Sequence, residues 1–149
     1  MCQLFVNADP SLWETRLRSV RMHGFSTSVR LEKVYWALLE EIARRDGLSL
    51  PEILARLYEE VLETHGVVEN FSSFLRVCCA RYLMLQLAGD IPLDQRQPIA
   101  GLDAPAILAR ERRRLEQRGL EQGAEKRAAQ ASESAADSLA GRCEARAGV

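Results

Sequence analysis

Residues 24–32 read GFSTSVRLE, and the alternation within them decides the fold. Thr27, Val29 and Leu31 fall on one face of a strand, with Phe25 in phase; Ser26, Ser28 and Arg30 fall on the other. Nearly everything downstream reads as helix. A lone strand cannot satisfy its own backbone donors and acceptors, so this one needs a partner. Upstream, Val20 and Met22 are at even positions while Phe25 to Leu31 use odd ones. A one-residue bulge near Gly24 would carry one strand through both halves. It would bring Arg21, His23, Ser26, Ser28 and Arg30 onto one face. The other reading is a strand that starts only at Phe25.

Three helical stripes follow. From Glu32 to Arg45, Tyr35, Trp36, Leu39, Ile42 and Ala43 recur at the spacing of a buried face. Arg44 and Arg45 suit the negative end of the helix dipole, and Asp46-Gly47 ends it. Ser49, Pro51 and Glu52 form a capping box with proline in the first turn. Behind them Ile53, Leu54, Leu57, Tyr58, Val61 and Leu62 make a second stripe. A third helix opens near Asn70 or Ser72 and runs to about Ala88. Its apolar residues cover most of its circumference, so another subunit is expected to cover part of it. Residues 90–105 read as a linker from their Pro, Gly and Asp content, 106–130 as a charged helix and 131–149 as a disordered tail. The domain proper spans residues 1–89.

The net charge of −1 gives no global attraction to nucleic acid or membrane. Charge is nonetheless segregated: up to Leu31 the acids are Asp9 and Glu14, against Arg16, Arg18, Arg21 and Arg30. No apolar run approaches the roughly 20 residues that span a bilayer. The N-terminus lacks the pattern of a signal peptide, and a cytoplasmic, nucleoid-associated protein is expected. Adjacent Cys78 and Cys79 have neither zinc-ligand spacing nor a nearby histidine, and read as packing residues. No nucleophile set, paired carboxylates or phosphate loop is present. Neither an enzyme nor a bound metal or cofactor is expected.

The order strand, helix, Gly-containing turn, Ser-capped helix, in TSVRLEKVYWALLEEIARRDGLSLPEILARLYEE, resembles the ribbon-helix-helix family, and NFSSFLR resembles its subgroup with a further helix. The resemblance runs from about Arg18 to Leu87. It implies a mainly α fold with one N-terminal strand, contributed to an intermolecular antiparallel two-stranded ribbon in an intertwined homodimer, plus a third helix. Val29, Leu31, Trp36, Leu39, Ile42, Ile53, Leu54 and Leu57 would form the dimer core. It further implies that the ribbon enters the major groove of double-stranded DNA, with Ser26, Ser28 and Arg30 contacting bases. The start of the second helix, Ser49 and Leu50, would touch phosphate, although Pro51 lacks a donor and Glu52 adds negative charge. Arg16, Arg18, Arg21 and His23 form a basic arm suited to further phosphates.

The expected function is a transcriptional regulator. One rival is an antitoxin whose C-terminal segment folds onto a protein partner. The other is a dimeric interaction module without DNA binding, in keeping with the near-zero net charge.

Overall fold

The computed structural model describes residues 2–22, 24–119 and 122. They divide into two units, one up to residue 102 and one from residue 103. The first unit opens with a one-turn helix α1 (Gln3–Val6) and a 3-10 turn (Pro10–Trp13). Then come strands β1 (Thr15–Met22) and β2 (Phe25–Glu32) and helices α2 (Lys33–Arg45), α3 (Leu50–His65) and α4 (Phe71–Leu87).

The parity break at Gly24 is a hairpin. β1 and β2 pair antiparallel, from Thr15↔Glu32 to Met22↔Phe25. This corrects two expectations at once: the described residues form two strands, and no bulge carries a single strand through. Two residues connect the strands, and Gly24 takes φ +82°, as tight hairpin turns require. The register places even positions of β1 opposite odd positions of β2. Val20 and Met22 therefore share a face with Val29 and Leu31, and all four are buried.

That face packs on the helices. Trp36, Leu39, Ala43, Ile53, Leu54, Leu75 and Cys79 complete the buried cluster, with Ile42 and Leu57 partly buried against it. Six of the eight expected core residues are thus buried within one chain. α2 ends in a Schellman cap: Gly47 N–H donates to Arg44 O and Leu48 N–H to Ala43 O, with Gly47 at φ +68°. The capping box of α3 is present, Ser49 N–H donating to Glu52 Oε2 at 2.7 Å. α4 leaves Val77, Leu83, Met84 and Leu87 exposed along one side.

The hairpin is tied to α4 at its end. Arg76 donates from Nε to Glu32 Oε2 at 2.9 Å and from Nη2 to Oε1 at 3.1 Å. This bidentate grip holds the Glu32 carboxyl below its usual range. A carboxyl depressed in the folded state stabilises fully above its unfolded pKa and loses that contribution as pH falls through the folded value. The pair is partly exposed, so Arg76→Ala should cost about 0.5–1 kcal/mol near pH 7. In urea unfolding that difference should shrink at a pH below the folded pKa of Glu32, where the carboxyl is protonated in both states. An equal cost at both pH values would remove the ion pair as its cause.

Residues 89–102 contain no helix or strand, yet they are held to the helices. Arg45, 5% exposed, donates to the carbonyls of Pro92, Asp94 and Gln97 and to the Tyr82 hydroxyl. Asp46 Oδ1 accepts from Ile99 N–H at 2.6 Å and Ala100 N–H at 3.0 Å. In the second unit a helix α5 spans 104–119, its start capped by Asp103 Oδ1 accepting from Ala106 N–H. The rest of the charged helix expected to 130, and the tail, lie outside the described residues. Among the described residues no helix is long and apolar enough to cross a membrane.

Candidate nucleic-acid interface

The hairpin's outer face is assembled by the register. Cross-strand pairs Arg21↔Ser26, Ser19↔Ser28 and Leu17↔Arg30 all lie on it, and all six residues are exposed. None is acidic. Arg21, Ser26, Ser28 and Arg30 therefore do share a face, through pairing of two strands and not along one. Leu17 and Ser19 are additions that sequence reasoning missed. The available signal was two alternating runs separated by two residues, the second of them Gly24.

The backbone has its own polarity. A two-residue connection makes Met22 and Phe25 a hydrogen-bonded pair, and bonded pairs then alternate along an antiparallel ladder. Lys33 N–H donates to Glu14 O at 2.9 Å, in phase with that set. The backbone groups of Ser26, Ser28 and Arg30 consequently point away from β1, along the outer edge of β2. Those of Leu17, Ser19 and Arg21 point away from β2. Among the described residues no third strand pairs with either edge.

Arg16 and Arg18 sit on the opposite face. Arg18 lies 4.9 Å over the Trp36 ring and donates to Glu40 at 2.7 Å. Arg16 is 3.9 Å from Glu14, and its carbonyl accepts from Trp36 Nε1 at 3.1 Å. His23 lies outside the described residues. At the start of α3 the capping box engages the amides of Ser49 and Glu52, and Pro51 has none, leaving Leu50 N–H as the first-turn donor. Hydrogen bonds from Ser49 to the Glu52 carboxylate hold that group below its usual pKa, so this helix start already carries its own anion.

Phe25 and Thr27 lie on the core side by parity but are exposed, Phe25 by 76%. They line a groove of about 430 Å³ beside β2, with Val29, Tyr58, Leu62 and Phe71. No described residue fills the space between β2 and these helix residues. Elsewhere burial pushes the Cys78 thiol up to about 11 and Cys79 to about 12, so both stay protonated at neutral pH. Among the described residues no three His, Cys, Asp or Glu side chains cluster as a metal site would require.

A family model described as a ribbon-helix-helix domain matches residues 15–83, from the start of β1 into α4. Among solved structures, an uncharacterized protein from Bordetella pertussis Tohama I is similar over 72% of this chain and 86% of its own. It shares 49% sequence identity, with a TM-score of 0.70. No curated protein matches.

Proposed function

Because the chain belongs to the ribbon-helix-helix family, we propose that it is a dimeric, sequence-specific binder of double-stranded DNA and a transcriptional regulator. The observation that carries this reading is the outer face of the hairpin. Its three exposed pairs carry no acid, and it displays Ser26, Ser28 and Arg30 together; Glu32, next on that face by register, is held by Arg76. Arg30 can donate twice to guanine O6 and N7, and the serines supply adaptable donors and acceptors.

The second copy pairs through the outer edge of β2. Outward backbone groups at even positions require a partner strand to align even with even. Centring the two-fold axis on Ser28 overlaps residues 25–31 and leaves Glu32 to its bond with Arg76. Ser28 then faces its own copy, and Ser26 faces the second copy's Arg30. The same contact covers the groove under Phe25.

Two measurements test the two halves of the proposal. Genomic fragments should be retarded by the protein, less so as salt rises. Absence of any retardation at low salt sinks the DNA-binding reading. For the dimer, Ser28→Cys puts two thiols across the axis, where bonded-pair Cα atoms lie about 5.5 Å apart, within disulfide reach. Mild oxidation should convert this variant, and not the wild type, to a covalent dimer.

A further inference from the structure

We propose that β1 is a phosphate-rim strand: its outer edge, with Arg21 and Ser19, grips the DNA backbone on each side of the groove that β2 reads. This rests on the dimer and DNA reading above. Pairing through β2 makes a sheet of four strands in the order β1, β2, and the second copy's β2 and β1. Adjacent strands lie about 4.8 Å apart, so the two β1 strands stand about 14 Å apart. The major groove is about 12 Å wide. The two central strands fit within it, whereas the outer two do not. They come to rest over the phosphate ridges that border the groove.

What β1 presents there is suited to phosphate. Arg21 is exposed on the DNA-facing side, directly opposite Ser26. The main-chain N–H groups of Leu17, Ser19 and Arg21 point outward along the free edge, as backbone donors to phosphate do. Across the sheet the residues fall into rows. The central row is Ser19, Ser28 and their two copies. Each flanking row is Arg21, Ser26, the second copy's Arg30 and its Leu17. These three rows thus carry four arginines and no acid, and Glu32, beyond them on that face, is neutralised by Arg76. Arg16 and Arg18, turned inward and close to Glu14 and Glu40, belong to the hairpin's attachment to α2.

Rim contact and base contact separate by measurement. Each phosphate neutralised contributes about 0.9 to the slope of log affinity against log salt. Arg21→Gln, removing two contacts per dimer, should lower that slope by about 1.8 and weaken binding equally for cognate and unrelated sequences. Ethylation of phosphates on both sides of the read groove should block the wild type and lose its effect in the variant. An unchanged salt slope, with Arg30→Ala still damaging recognition, overturns the rim assignment and leaves the DNA-binding reading standing. Failure of the wild type to bind any DNA overturns both. Failure of Ser28→Cys to cross-link overturns the four-stranded geometry, and the rim assignment with it.

Discussion

Arg30→Ala should weaken binding to the cognate operator by roughly 30-fold to 20,000-fold while leaving the fold intact. One bidentate contact to guanine discriminates by about 1–3 kcal/mol, and a two-fold dimer loses it twice. At 1.4 kcal/mol per tenfold, about 2–6 kcal/mol gives that range. Arg30 is exposed on the outer face, so its truncation creates no cavity. Binding to unrelated DNA should fall far less, because the non-specific component comes from phosphates. The loss is therefore chiefly one of specificity, read as the ratio of cognate to competitor affinity in titrations at fixed salt. Arg30→Lys keeps the charge but not the fork, and should recover affinity without recovering the preference for guanine. Equal losses on both kinds of DNA would move Arg30 from base reader to phosphate contact.

The helices were legible in the sequence, and so was the polar face of the hairpin. Buried stripes and caps placed α2 within one residue of its observed start, and Ser49, Pro51 and Glu52 announced α3. The hairpin itself was not recognised, for a physical reason. A one-residue bulge and a two-residue turn produce the same shift in side-chain parity. In the bulge the strand runs on with its faces exchanged; in the turn it reverses, and the register maps even positions onto odd. Either way Arg21 joins Ser26, Ser28 and Arg30. Local pattern therefore identified the face correctly while leaving undetermined how many strands build it. Phe25 exposes a second limit. Alternation assigns a residue to a side of a sheet, but whether that side is covered depends on what lies beneath. Under Phe25 there is a groove instead of a helix.

Arg45 was the least legible residue of the core, and its removal should have the largest effect on stability. At the C-terminal turn of α2 it reads as an ordinary cation complementing the helix dipole. Instead it is buried and supplies the donors for a whole stretch of irregular backbone 47 to 52 residues away. Nothing local encodes this, because three of its acceptors are main-chain carbonyls and any residue carries those. Its Nη1 donates to Tyr82 Oη at 3.0 Å, Gln86 donates to the same oxygen, and Tyr82 in turn donates to Glu41. Burial, reinforced by the Glu41 hydrogen bond, pushes the Tyr82 hydroxyl above its usual pKa, so it remains a donor. Arg45→Ala would leave the carbonyls of Pro92, Asp94 and Gln97 short of their donor and open a void beside Tyr82. A buried acceptor left unsatisfied costs about 1–3 kcal/mol, so a total loss of roughly 3–5 kcal/mol is expected. Arg45→Lys should recover only part of it, since one ammonium cannot reach acceptors spread around a planar fork. Freed from Arg45, residues 89–102 should become the first site of limited proteolysis in the variant, while the same bonds protect them in the wild type. A variant as stable and as protease-resistant as the wild type would mean that Asp46, through Ile99 and Ala100, holds this segment by itself.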